Sequence, residues 1–232
     1  MKVALVGYGK MGKEIEQILL KEGHEIHARI GRGDDIALAA GADIAIEFTR
    51  PDTAVANLKA LAELQIRTVC GTTGWLEHLD EVSDLFTQHG SALLYASNFS
   101  IGVNVVFAIN KQLAKALEPF NYTVKIDETH HTEKLDAPSG TAITLAEGVI
   151  EHSQYTDYAT DEHPRDGALH IASFRESGIK GDHTVTYMGE NDTIYLRHEA
   201  KSRKGFAQGA VLAARYLQDK QGVYTMKDVL GL

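Results

Sequence analysis

Six residues near the amino end constrain the fold more than anything else in the chain. Gly7-Tyr8-Gly9-Lys10-Met11-Gly12 follows the apolar run Val3-Ala4-Leu5-Val6 and precedes an amphipathic stretch with Ile15, Ile18 and Leu19 on one face and Gly23 as its stop. The glycines therefore sit on a strand-turn-helix junction. There the first glycine permits a tight turn, the second lets backbone approach a pyrophosphate, and the third allows close helix packing, while the helix N-terminus offers unpaired amides to an anion. This pattern predicts a dinucleotide-binding turn. The bland alternative is an ordinary glycine-rich turn.

The rest of the first hundred residues supports the sharper reading. Short apolar runs at 26–30, 44–48, 67–70 and 92–95 alternate with amphipathic stretches, the rhythm of a doubly wound parallel sheet of Rossmann type. Beyond Gly102 the rhythm changes. Val124 and Ile126 alternate with Lys125 and Asp127, and 168–174, 183–188 and 193–199 read as further strands, which predicts a second, α+β domain with an open, mostly antiparallel sheet. The tail returns to helix, with Phe206, Ala210, Ala213, Ala214 and Leu217 at helical spacing. The expected organisation is a discontinuous dinucleotide-binding domain, 1–101 and 206–232, around a domain of residues 102–205. The polar stretch 151–166 is the best candidate for a mobile surface loop.

Composition removes several function classes. A chain of 232 residues, 44% hydrophobic, can bury a core without staples, and its single cysteine, Cys70, excludes an intrachain disulfide. A net charge of -9 argues against nucleic acid or an anionic membrane as a partner. No apolar stretch approaches the roughly 20 residues of a membrane span, and the start lacks a signal-peptide core. A cytoplasmic protein is expected.

The second strand bears on the cofactor. An Asp or Glu at its end would grip the ribose hydroxyls of NAD, but the segment runs His27-Ala28-Arg29-Ile30-Gly31-Arg32-Gly33. Guanidinium groups suit a 2'-phosphate, which favours NADPH, with NADH still admissible. Asp34 and Asp35 follow at once and could instead pair with the arginines.

The most specific segment spans 128–142: Glu128-Thr129-His130-His131-Thr132-Glu133-Lys134-Leu135-Asp136-Ala137-Pro138-Ser139-Gly140-Thr141-Ala142. It runs from a strand end into a helix, with Pro138 suited to the first turn and Ala142, Leu145, Ala146, Val149 and Ile150 as an apolar stripe. Ser139, Gly140 and Thr141 would present amides and hydroxyls to a carboxylate. Two histidines and Lys134 add a proton donor near neutral pH and a fixed positive charge, which together read as a pocket for an acidic substrate that must be protonated. Taken singly, each residue has a structural explanation. A zinc site is a second alternative, although adjacent residues on a strand point apart and no Cys or spaced acidic ligand completes a tetrahedron. No metal is expected.

The run E-T-H-H-x-x-K-x-D-A-P-S-G-T-A resembles the signature of the 4-hydroxy-tetrahydrodipicolinate reductase family. So do the glycine turn, Glu47-Phe48-Thr49, Gly71-Thr72-Thr73-Gly74, Ser97-Asn98-Phe99-Ser100-Ile101-Gly102-Val103-Asn104, Gly181-Asp182-His183-Thr184 and Lys227-Asp228-Val229-Leu230, in order along nearly the whole chain. The resemblance implies reduction of a cyclic imine dicarboxylate in lysine and diaminopimelate formation. It implies His130 as general acid, His131 and Lys134 on the substrate, and Gly140 and Thr141 on a substrate carboxylate. It places Gly7 to Gly12, Gly71 to Thr73 and Ala96 to Phe99 (Ala96, Ser97, Asn98, Phe99) along the cofactor, with Arg32 beside them. At Gly31 the chain departs from members that carry an acidic ribose ligand there. A homotetramer built through the second sheet is also implied, so the second domain would both bind substrate and build the oligomer. The rivals are another two-domain dehydrogenase and a non-catalytic dinucleotide sensor, neither of which needs the histidine signature.

Overall fold

The computed structural model describes every residue except Leu135, within the signature run, and Glu162, within the polar stretch. In chain order the elements are β1 (Lys2–Val6), α1 (Lys10–Lys21), β2 (Glu25–Ile30), β3 (Ile44–Glu47), α2 (Pro51–Glu63), β4 (Arg67–Cys70), α3 (Leu79–Gln88) and β5 (Ala92–Tyr95). Then come α4 (Ile101–Leu117), β6 (Thr123–His130), α5 (Gly140–Ile150), β7 (Tyr158–Thr160), β8 (Leu169–Arg175), β9 (Asp182–Met188) and β10 (Thr193–Glu199). The chain ends with α6 (Lys204–Leu217), β11 (Gly222–Tyr224) and α7 (Met226–Leu230). Two compact units result, residues 1–101 with 203–232, and residues 102–202.

The first unit is a six-stranded, wholly parallel sheet in the order β11-β5-β4-β3-β1-β2. Its inner strands β1, β3, β4 and β5 are buried almost throughout because helices cover both faces, whereas the edge strand β2 alternates exposed and half-buried residues. Val3, Leu5, Ile44 and Ile46 pack with Ile15 and Leu19 of α1 and with Ala207, Ala210, Ala214 and Leu217 of α6, while Ala4, Val6 and Ala45 face Leu58, Val82 and Phe86 of α2 and α3. Since β1 has β2 on one side and β3 on the other, the strand order reverses beside β1 and opens a crevice at the carboxyl edge. This is the doubly wound Rossmann arrangement that the strand-helix alternation predicts.

In the second unit the sheet order is β10-β9-β6-β8-β7. It is open, as expected, but mixed: β10-β9 and β9-β6 are antiparallel, whereas β6-β8 and β8-β7 are parallel. The crossover through α5 brings the chain back in the direction of β6, and a parallel pair needs such a connection. Several elements, the short α7 among them, have no counterpart in the sequence rhythm. Helix α4 has 17 residues, β7 lies inside the polar stretch read as a loop, and β11 adds a sixth strand to the first sheet. Pro138 sits one residue ahead of the N-cap Ser139 rather than in the first turn of α5. Among the described residues no helix is long and apolar enough to cross a membrane.

Candidate active site

Within the first unit, the glycine turn closes directly off β1, where Gly7 N–H donates to Ile30 O at 2.9 Å. Gly7 has φ +92°, and a Cβ there would fall 2.0 Å from Phe48 O, so both backbone conformation and space demand glycine. At Gly12 an added Cβ would meet Gly7 O at 2.6 Å, which is how α1 packs against its own turn. Gly9 is different. Nothing lies within 4 Å of its missing Cβ, so that face of the turn is open to a ligand. A cavity of about 570 Å³ lies over it, bounded by Gly7, Tyr8, Gly9 and Arg32 on one side and by Phe48, Thr49, Arg50, Thr53 and Asn57 on the other. An open pyrophosphate-sized approach at a helix N-terminus fits a dinucleotide.

Of the other positions expected along the cofactor, Lys10, Met11 and Gly12 form the first turn of α1, and 71–73 and 96–99 follow β4 and β5 along the same carboxyl edge. None of them lines the cavity itself, but Gly71, Thr72 and Phe99 pack on residues that do. A Cβ at Gly71 would strike the Phe48 ring at 2.1 Å, Thr72 Oγ1 accepts from Thr49 N–H at 2.7 Å, and Phe99 packs on Phe48 with ring centroids 5.7 Å apart. Thr73 and Ser97 are exposed, and Ala96 and Asn98 are half-buried. Arg50, Thr53 and Asn57 carry no sequence signal, because α2 brings them to the crevice only once β3 is in place.

The two arginines of the second strand end up in different states. Arg29 is claimed by the buried Glu16 of α1, through Nε at 2.8 Å and through Nη2, and Tyr8 Oη donates to the same carboxylate. This guanidinium holds the Glu16 carboxyl below its ordinary range. Arg32 is exposed on the cavity rim, while Asp34 accepts from Gly31 N–H and Asp35 from Ala37 N–H, and among the described residues neither acid forms an ion pair with an arginine. Of the two, Arg32 alone faces the cavity.

In the second unit, β6 carries the signature into a buried polar centre. Strand alternation sends Val124, Ile126, Glu128 and His130 to the covered face. The sheet register then sets Glu128 directly between His183 of β9 and Ser173 of β8, and His130 beside Arg175. Glu128 has no exposure, yet its carboxylate is well satisfied: it accepts from Ser139 N–H at 3.1 and 3.2 Å and from Ser173 Oγ at 2.8 Å, with the Arg175 guanidinium at 3.5 Å. Burial works against its charge. Hydrogen bonds from His183, Ser139 and Ser173 and the nearby His130 override it and hold the carboxyl at about 2.

His130 is 8% exposed, and its Nδ1 faces Glu128 Oε2 at 3.4 Å. His131, the next residue, is half-buried. Lys134 Nζ is held by both oxygens of Asp136 at 2.8 Å, and Arg175 ties down the same loop through Asp136 O at 2.6 Å. Ser139 caps α5 by accepting from Ala142 N–H at 3.2 Å, and its hydroxyl also meets His183 Nε2 at 3.2 Å. Its amide and hydroxyl are thus engaged within the protein. Gly140 and Thr141 follow in the first turn of α5.

Glu128, His130 and His183 bring three donor atoms within 4.8 Å of one another, a grouping invisible in the sequence. A cation there would compete with the donors already on Glu128 and with the Arg175 charge 3.5 Å away. The arrangement favours a proton over a metal ion. Burial pushes His130 down from 6.5 to about 4, against the opposing pull of Glu128, with His183, Lys134 and Arg175 adding to the downward side. The unfolded ring takes its proton at higher pH than the folded one, so this contribution to stability is intact above 6.5 and is lost as pH falls toward 4. For Glu128 the same sign operates lower, between 4.5 and about 2. The melting temperature of the wild type should therefore fall between pH 7 and 4, and His130→Gln should flatten that part of the curve. Parallel curves would refute the assignment.

Comparison with known proteins accords with this geometry. Residues 1–99 match the family model described as dihydrodipicolinate reductase, N-terminus, and residues 102–230 the model described as dihydrodipicolinate reductase, C-terminus. A 4-hydroxy-tetrahydrodipicolinate reductase of Christiangramia forsetii is 44% identical, covering 99% of this chain and 98% of that protein. One from Ralstonia nicotianae is 35% identical over the full length of both. Among solved structures, a dipicolinate-bound dihydrodipicolinate reductase from Paenisporosarcina sp. TG-14 superposes with a TM-score of 0.76 at 22% identity, covering 97% of each chain. An amine dehydrogenase from Mycobacterium smegmatis shares the fold with a TM-score of 0.65 at 13% identity, covering 96% of this chain and 94% of that one. The fold is thus common to several dehydrogenases, but the sequence is not, and the chain belongs to the dihydrodipicolinate reductase family.

Proposed function

We propose that the protein reduces 4-hydroxy-tetrahydrodipicolinate to tetrahydrodipicolinate with loss of water, using NADPH, in the formation of diaminopimelate and lysine. The observation that carries the reading is the meeting of His130 and the N-cap of α5 on one buried carboxylate, Glu128, with the Lys134 charge near enough to act on His130, a candidate proton donor set beside a candidate anion site. When bound in the crevice of the first unit, the reduced nicotinamide supplies hydride to the ring carbon vacated by the 4-hydroxyl. The remaining tasks belong to side chains and backbone of the chain itself. Gly140 and Thr141 take one substrate carboxylate at the helix N-terminus, Ser139 braces that turn, and His131 and Lys134 orient the other acidic groups. His130 gives its proton to the carbon beside the imine.

An empty site keeps His130 neutral near pH 7, since its value lies at about 4. A dicarboxylate placed beside the ring favours the imidazolium, so substrate and catalytic proton enter together. Exposed Tyr195 on the edge strand β10 and Phe174 on β8 support the further reading of a homotetramer joined through the second sheet, and the chemistry belongs in the cytoplasm.

The direct test is oxidation of NADPH by purified protein supplied with the condensation product of pyruvate and aspartate semialdehyde. Absence of turnover with either nucleotide would refute the reading. For cofactor choice, Arg32→Ala should raise the KM for NADPH far more than that for NADH, because NADPH alone carries the 2'-phosphate. Equal effects would remove Arg32 from that role.

A further inference from the structure

The Gly181-Asp182-His183-Thr184 segment and Glu128 have no task in the proposed reaction, yet the structure places both against His130. His183 is 4% exposed, and its ring packs edge-on to His130 with centroids 5.0 Å apart. Its Nε2 lies 3.7 Å from Glu128 Oε2 and 3.2 Å from Ser139 Oγ. On the other flank, a Cβ at Gly181 would sit 3.1 Å from His130 Nε2. The two ring nitrogens therefore see different surroundings: Nδ1 is buried, has no hydrogen-bond partner among the described residues and faces a carboxylate, while Nε2 faces a residue with no side chain.

We propose that Glu128 is a positioning residue whose carboxylate, 3.4 Å from Nδ1, draws the resting proton of His130 to that nitrogen by its charge and so leaves Nε2 as the atom that delivers the proton, with His183 buttressing the carboxylate and Gly181 adding no side chain over Nε2. The proposal rests on His130 being the proton donor of the reaction above. A histidine has one donor and one acceptor nitrogen when neutral, and the partner of one nitrogen decides the state of the other. Because the same carboxylate also receives the Ser139 amide, the donor and the anion-binding turn hang on one anchor. A carboxylate two residues away on the same face of one strand is a rigid mount.

The groups that face this pair are His183 from β9, Ser173 and Arg175 from β8, Lys134 and Ser139 from the segment before α5, and, one strand further, His198 opposite His183. Only Glu128 among them is negative. Glu128→Gln therefore weakens proton binding at His130, and the limb on which turnover falls with rising pH should move to lower pH. The kcat should fall about tenfold to a hundredfold, the range seen for partners that orient metal-bound histidines, with KM moving less. Glu128→Asp should recover part of kcat and return the limb toward that of the wild type.

Nitrogen-15 NMR of the wild type needs no variant to fold. It should show resting His130 neutral and protonated on Nδ1. A bare Nδ1 would overturn the proposal, as would a Glu128→Gln enzyme with unaltered kcat and pH profile, whatever its melting temperature. Full turnover by His130→Gln would instead overturn the reaction assignment, and this proposal with it.

Discussion

Replacing His130 with glutamine should lower kcat by about a hundredfold to ten-thousandfold, the usual cost of a positioned general acid, while leaving the substrate KM comparatively unmoved. Glutamine preserves the bulk of a side chain that is 8% exposed, so packing is largely retained. Lys134→Ala should behave differently. Lys134 is paired with the exposed Asp136, a contact of the kind worth at most about 1 kcal/mol, so a substrate carboxylate can exchange for it. Loss of that contact raises KM, with a fall in kcat if Lys134 also stabilises charge developing in transfer. If His130 merely braced the end of β6, His130→Gln would lower the melting temperature and spare the turnover of the folded fraction. Steady-state kinetics and thermal unfolding on one preparation separate the two.

The second large effect concerns the glycine turn. Gly7→Ala forces a Cβ to within 2.0 Å of Phe48 O at φ +92°, so overpacking and left-handed strain, each about 1–3 kcal/mol, fall on one residue. At about 2–4 °C per kcal/mol for a chain of this size, the melting temperature should drop by several degrees and nucleotide binding should weaken. Gly9→Ala is the control, because nothing lies within 4 Å of its Cβ and its backbone is extended. It should leave stability nearly unchanged and still weaken nucleotide binding, since the new methyl occupies the open face. Denaturant unfolding and nucleotide fluorescence titration read the two effects. Equal stability of the two variants would contradict the packing described for Gly7.

What the sequence made legible follows from the length and periodicity of its signals. The five parallel strands through β5, four of them largely apolar and the edge strand β2 alternating, are flanked by amphipathic helices, and each lies within a residue of its expected place. Helix α4 escaped because it is apolar around much of its girth: Val103 and Ala114 are buried while Ile101, Val105 and Ile109 are exposed, which leaves no clean period. Strands β7 and β11 have three residues each and owe their existence to pairing with β8 and β5, information that no local window contains. In the candidate site, the residues proposed as proton donor and anion-binding turn lie within one short run, so the sequence could name them as candidates. The partners of Glu128 could not, because His183 and Ser173 meet it only through the register of β6 with β9 and β8, and a shift of one residue would turn every one of these side chains to the other face. Arg29 shows the converse. Its position beside Arg32 suggested a shared task, and a carboxylate from a neighbouring helix took it away.

The first unit is built from the two ends of the chain, and this orders events during synthesis. Its core includes Ala207, Ala210, Val211, Ala213, Ala214, Leu217 and Met226, so the face of the sheet under α6 stays bare, and β5 keeps an unpaired edge, until residues 203–232 leave the ribosome. The second unit is one continuous stretch, 102–202, with its own core, and can condense while the first is still waiting. For that interval the nascent protein is a finished insert in an unfinished host. The sheet that carries the nucleotide crevice gains its last strand and the cover of α6 only after β6 and its neighbours have been laid down.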